Sequence, residues 1–170
     1  MKKINIDLSV KSVKQAIKEL ETYRDSMKDK NKQFVERLAL LGIPVIQEAI
    51  AFSQSKDSNK NVDKEIIIEH SDSVSARAVL RIQGEDVLFF EFGSGIHHNK
   101  TDPPHAEKWG YGVGTYPGQT HAFDEDGWYY RDAAGLHHTY GTEATMPMLK
   151  AGKEIISKIR QIAREVYASN

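Results

Sequence analysis

The sequence predicts an α+β fold in which an antiparallel β-sheet packs with N-terminal and C-terminal α-helices and carries a long glycine- and aromatic-rich insertion. Three observations predict it. Apolar residues recur at three- and four-residue spacing at both ends of the chain, and three short apolar runs separated by turn triplets lie between 64 and 92. A stretch from Gly93 to Gly141 then has almost no periodicity but most of the unusual residues: from Phe89 to Gly141 lie eleven of the fifteen aromatic residues, six of the seven histidines and nine of the twelve glycines.

Val10, Val13, Ile17 and Leu20 place one apolar face on a helix over about 10–28, with Ser9 or Ser12 as its N-cap. Asp29 to Asn31 reads as a break. Phe34, Leu38, Leu41, Val45, Ala49 and Phe52 mark a second helix over 33–53, and Pro44 inside it predicts a kink or a restart near Gly42, because an internal proline costs ~3 kcal/mol. The polar run 53–63 is expected to be a mobile surface loop. Strands are expected at 64–70, 74–83 and 87–92, joined by Ser71-Asp72-Ser73 and Gly84-Glu85-Asp86 as antiparallel hairpins; the last run, VLFFEF, is apolar enough to be a strand buried on both faces. A further strand is expected at 127–131, inside a loop of nearly fifty residues whose aromatic content needs something to pack on. A final helix covers 146–167, with Thr145 as cap and Pro147 in the first turn.

A chain of 170 residues fits a single domain, 1–170, that buries roughly 70% of the surface its unfolded form exposes. The absence of cysteine excludes disulfides, thiolate metal sites and a thiol nucleophile, and suits a reducing cytoplasm. No window approaches the ~20 apolar residues of a membrane span, and no signal-peptide pattern follows the first lysines, so no membrane partner is expected. The net charge of −1 is unevenly spread: residues 1–37 carry ten Lys/Arg against six Asp/Glu, and residues 38–92 carry five against nine. Basic ends on an acidic body favour head-to-tail contact between copies, and the lack of a dense basic patch argues against a specific nucleic-acid partner. Nor do the terminal helices have the compact form of a helix-turn-helix unit.

Three strings suggest a family: VLFFEFGSGIHHN at 87–99, GWYYRD at 127–132, and TYGTEATMPMLKAGKEI at 139–155. In this order they resemble the tail-completion proteins of long-tailed bacteriophages and prophages, also called minor tail or head-tail joining proteins. Ser94 stands where that family usually has threonine, Glu143-Ala144-Thr145 stands where a proline-alanine pair is more usual, and 94–122 forms a variable insertion. The resemblance implies a non-enzymatic virion protein without cofactor or metal, made in the bacterial host cytoplasm. It would assemble as a hexameric ring at the head-proximal end of the tail, where its partners are other copies of itself, the tail tube protein and the head-tail connector protein.

For such a ring the candidate contact residues are Phe89, Phe90 and Phe92, which offer more apolar area than one strand face uses, and Trp109, Tyr111, Tyr116 and Trp128, of the types that anchor interfaces. Gly93 and Gly95 would turn the chain at positive φ and admit a neighbouring backbone. The rival reading is a metal-dependent hydrolase or nuclease using the His-rich loop 97–138, where His97, His98, His105, His121, His137 and His138 stand among carboxylates. The spacing does not support it, for there is no HExxH pattern, no GxSxG elbow, and Gly110–Gly114 lacks the helix of a phosphate loop.

Overall fold

The computed structural model describes residues 6–54, 62–84, 86–97, 119–133 and 135–168. In chain order these form α1 (Val10–Gln54), β1 (Asp63–Ser71), β2 (Ala76–Gln83), α2 (Val87–Phe92), a 3-10 turn (Gly95–His97), β3 (Trp128–Asp132), β4 (Gly135–Thr139) and α3 (Pro147–Ala168). The class is α+β, with two small antiparallel two-stranded sheets, β1–β2 and β3–β4, where the sequence predicted one. The chain divides into two compact units: unit 1 is Met1–Leu40, Ile66–Leu80 and Lys158–Asn170, and unit 2 is Leu41–Glu65 and Arg81–Ser157.

Two expected helices are one. The predicted break at 29–31 does not occur, and α1 runs on through Gly42 and Pro44 without restarting. Its start is set by Ser9, whose hydroxyl accepts the Ser12 N–H at 3.2 Å while its carbonyl accepts that of Val13 at 3.0 Å. Asparagine is a poor interior helix residue because its amide competes for nearby backbone groups. In unit 1 that amide is engaged elsewhere: Asn31 is buried, its Nδ2 donates to the Asp72 carbonyl at 2.9 Å, and its Oδ1 accepts the Tyr167 hydroxyl at 2.7 Å. The break signal at 29–31 was the signature of a tertiary contact. At Pro44 the missing hydrogen bond falls on the face shared by exposed Leu40 and exposed Pro44, away from the buried side of the helix.

Unit 1 is completed by the hairpin turn and the last turns of α3. Asp72 accepts the N–H groups of Val74 and Ser75, each at 2.7 Å, and so closes the turn that the Ser71-Asp72-Ser73 triplet predicted. Ser71 Oγ donates to the Lys28 carbonyl at 3.0 Å, the Phe34 and Tyr167 rings lie 5.6 Å apart, and Arg37 pairs with Glu165. Ala16, Leu38, Ala39, Ile162 and Val166 are the buried apolar residues of this unit among those described. The ion pair Arg77–Glu69 in unit 1 and the pair Arg81–Glu65 in unit 2 lie across the two strands as an antiparallel ladder requires.

The predicted strand at 87–92 is instead the short helix α2. An apolar run of six residues has no period of its own, so the flanking residues decide. Phe89 and Phe90 both donate their N–H to the Asp86 carbonyl, and Gly93 ends the helix at φ +76 with its N–H on the Phe89 carbonyl. The helical turn buries Phe90 and Phe92 and leaves Leu88 exposed. The predicted strand at 127–131 is β3, but the sequence reading missed its partner β4, which pairs from Trp128↔Thr139 to Asp132↔Gly135. Most of the predicted loop 53–63 and of the insertion 94–122 lies outside the described residues.

Candidate functional site

The three strings that carry the family resemblance come together in unit 2, although the chain separates them. The first contact is between α2 and the start of α3. The Phe90 carbonyl accepts the N–H of Thr145 at 2.8 Å and of Met146 at 3.0 Å, and the Thr145 hydroxyl points to the same oxygen at 3.4 Å. Thr145 is buried, and it does not cap α3 as predicted. The cap comes from Glu91: its two carboxylate oxygens accept the N–H groups of Met148 at 2.8 Å and Leu149 at 2.9 Å. Pro147 has no N–H to satisfy, and Lys150 donates to the Met146 carbonyl at 3.0 Å, so the first turn of α3 is fully paired. Met146 holds a left-handed φ of 52 just before the proline, a strained conformation kept by these surrounding bonds.

The second contact is main chain to main chain. Ser94 is buried, its N–H donates to the Thr142 carbonyl at 2.8 Å, and its Oγ accepts the Thr142 N–H at 2.9 Å. The third places a tryptophan ring on a glycine. At Gly95, with φ +61, an added Cβ would stand 2.5 Å from Trp128 Cη2 and 2.5 Å from the Ala122 carbonyl oxygen, so the indole lies directly on the backbone. At Gly93 a Cβ would stand 2.5 Å from the His97 carbonyl oxygen. The Trp128 indole N–H donates to Gln119 Oε1 at 3.0 Å, which satisfies the one polar atom of the ring.

Of the candidate contact residues, Phe90, Phe92, Gly93, Gly95 and Trp128 are therefore buried against their own chain, and Phe89 is half-buried. Trp109, Tyr111 and Tyr116 lie outside the described residues. The residues that sequence reasoning missed are Glu91, Ser94 and Thr142, whose roles are set by what lies opposite, and the outward face of the β3–β4 hairpin. On that face Tyr129 and His138 are cross-strand partners with ring centroids 4.7 Å apart, and the His138 and Tyr140 rings are 4.8 Å apart. The sequence of β4, GLHHT, offers no apolar alternation, because Leu136 and His138 are exposed while His137 and Thr139 are half-buried.

Beside the hairpin is an open cleft of about 470 Å³ lined by Gln119, Thr120, His121, Asp124, Gly127, Trp128 and Tyr129. His121 Nδ1 and Asp124 Oδ2 are 2.9 Å apart within it, and both side chains are exposed. Among the described residues no three His, Asp or Glu side chains are grouped to hold a metal ion, and His98 and His105 lie outside them. The Glu91 carboxyl titrates above the ordinary glutamate range because burial disfavours its charge, against the opposing pull of the Met148 and Leu149 N–H groups and of Lys150.

Comparison of the chain with known protein families, curated proteins and solved structures returns no match. Among the described residues no helix is long and apolar enough to cross a membrane.

Proposed function

We propose that this chain is a structural virion protein of the phage neck, a ring at the head-proximal end of the tail that joins the tail tube to the head connector. It acts by assembly and catalyses no reaction. The observation that supports this reading is the convergence of its three family-like strings. FGSG lies more than thirty residues before GWYYRD and TYGTEATMPM, which are near each other in the chain, yet the three share Trp128 on Gly95, Ser94 with Thr142, and Glu91 on the first turn of α3.

The surfaces suit the role as well. A ring subunit needs two different faces that meet head to tail. The described residues include large apolar side chains that remain exposed in the N-terminal part of α1 and on the β3–β4 hairpin. The experiment is electron microscopy of a lysate from a phage or induced prophage with an in-frame deletion of this gene. DNA-filled heads lying beside separate, finished tails are the expected result, and intact virions would overturn the reading.

A further inference from the structure

Among the described residues, the N-terminal part of α1 shows an apolar stripe that remains exposed beside the buried Ala16. Val10, Val13, Ile17 and Leu20 follow a three-four-three spacing that places them on one helix face, and they are between 43% and 72% exposed. A helix alone in water gains nothing from such a stripe, and side chains of this size become useful when covered. Lys11, Lys14 and Lys18 form a second row along one flank of it, all exposed.

The outward face of the β3–β4 hairpin has the complementary character. Tyr129, Leu136 and Tyr140 are between 56% and 66% exposed, with the exposed His138 ring between the two tyrosines. The turn before β3 is Asp124-Glu125-Asp126, all exposed, and it is tied to this face because His138 Nε2 lies 3.0 Å from the Asp126 carbonyl oxygen. Arg131 is the one exposed cation on the same strand face. The lengths agree: ten residues of helix from Val10 to Leu20 rise ~15 Å, and four residues of strand from Leu136 to Tyr140 span ~14 Å.

We infer that the Val10–Leu20 stripe of one copy of this chain seats on the β3–β4 hairpin face of a second copy, with the Lys11, Lys14 and Lys18 row against the Asp124–Asp126 turn. The contact is heterologous, so a pair still has one unused stripe and one unused hairpin face, and the association continues until it closes on itself. Charge selects this arrangement over a symmetric one. Two stripes paired with each other would bring lysine rows together, and in an antiparallel pairing Lys14 of each copy would lie beside the other. Two hairpin faces paired with each other would bring acidic turns together. The inference rests on the two surfaces and not on the neck reading, since a head-to-tail contact of this kind serves any closed ring.

Charge exchange tests it on the full-length chain. Lys14→Glu with Lys18→Glu reverses the stripe flank, and Glu125→Lys with Asp126→Lys reverses the turn; all four side chains are exposed, and circular dichroism verifies the fold of each variant. In sedimentation velocity over a concentration series at low salt, the unmodified chain is expected to self-associate, and each double variant alone to associate roughly tenfold more weakly. An equimolar mixture of the two variants restores association, because each stripe again meets an opposite turn. Since the chain has no cysteine, Ile17→Cys and Tyr129→Cys proteins mixed under oxidising conditions should form a mixed disulfide faster than either forms a homodimer. A chain that stays monomeric to its solubility limit, a mixture that does not recover, or Ile17→Cys cross-linking to itself as fast as to Tyr129→Cys each overturns the contact. Intact virions in the deletion lysate would remove the neck reading and leave the contact standing.

Discussion

In unit 1 the bonds that span long stretches of sequence run through side chains: Asn31 to Asp72 and Tyr167, Ser71 to Lys28, Arg37 to Glu165. In unit 2 they run largely through the main chain, from the Phe90 carbonyl to Thr145 and Met146 and from Ser94 to Thr142, with glycines where one segment lies on another. The difference explains why unit 2 holds strings of fixed residues and unit 1 only a pattern of apolar and polar ones. A helix face asks of each position only that it be apolar or polar, and many residues comply. A backbone that touches its neighbour asks for glycine, serine or proline at one position and no other.

The sharpest way to break that comparison is at Gly95. Gly95→Val must place a branched side chain where the Trp128 ring and the Ala122 carbonyl already are, at a φ that valine rarely adopts. A loss of about 3 kcal/mol or more is expected in chemical denaturation, with loss of the near-ultraviolet circular dichroism of the indole. Equal stability of Gly95→Val and the parent would remove the close-approach account of unit 2.

Unit 1 should respond to the loss of a side chain in the same manner as unit 2 to the gain of one. Asn31→Ala leaves the Tyr167 hydroxyl and the Asp72 carbonyl without their partner and is expected to cost about 2 kcal/mol. Tyr167→Phe in the same background should then cost little, so the double-mutant cycle returns a coupling of about 1 kcal/mol. Additive effects would mean that the Asn31 contact does not hold the unit.

Glu91 tests whether a side chain matters in the unit that backbone contacts dominate. Glu91→Ala frees the Met148 and Leu149 N–H groups and is expected to cost about 1–2 kcal/mol, the usual size of a lost helix cap. The pH dependence has a definite sign. The folded-state pKa is raised above that of the unfolded chain, so the folded state holds the proton more tightly between the two values. The contribution of this group is therefore complete below the ordinary glutamate range and declines as pH rises through the folded value. Stability of the parent minus that of Glu91→Gln, measured in denaturant from pH 4 to 7, should fall with pH; a rising difference contradicts the burial of this carboxyl.

The smallest effect is expected at Asp72, an exposed group whose pKa is lowered by the N–H groups of Ser75 and Val74. Here the sign is reversed: its contribution is present above the ordinary aspartate range and is lost as pH falls through the folded value. Asp72→Asn should remove a slight acid sensitivity from the β1–β2 turn, readable as faster amide exchange at Val74 and Ser75.

Composition and spacing by themselves determined the α+β class, the hairpin at 63–83, the strand β3 and the helix α3, because each has a period and punctuation of its own. They also marked Gly93 and Gly95 as places of positive φ. Only the tertiary structure decided the rest. Asn31 reads as a helix breaker until its amide meets Asp72 and Tyr167, and VLFFEF reads as a strand until its Phe90 carbonyl takes the Thr145 and Met146 N–H groups. Thr145 reads as a cap until Glu91 takes the N–H groups that it was expected to hold. In each case the local preference is worth about 1 kcal/mol, and a single buried contact is worth as much. Local sequence prevails where nothing is packed against it, and the partner brought by folding decides where something is.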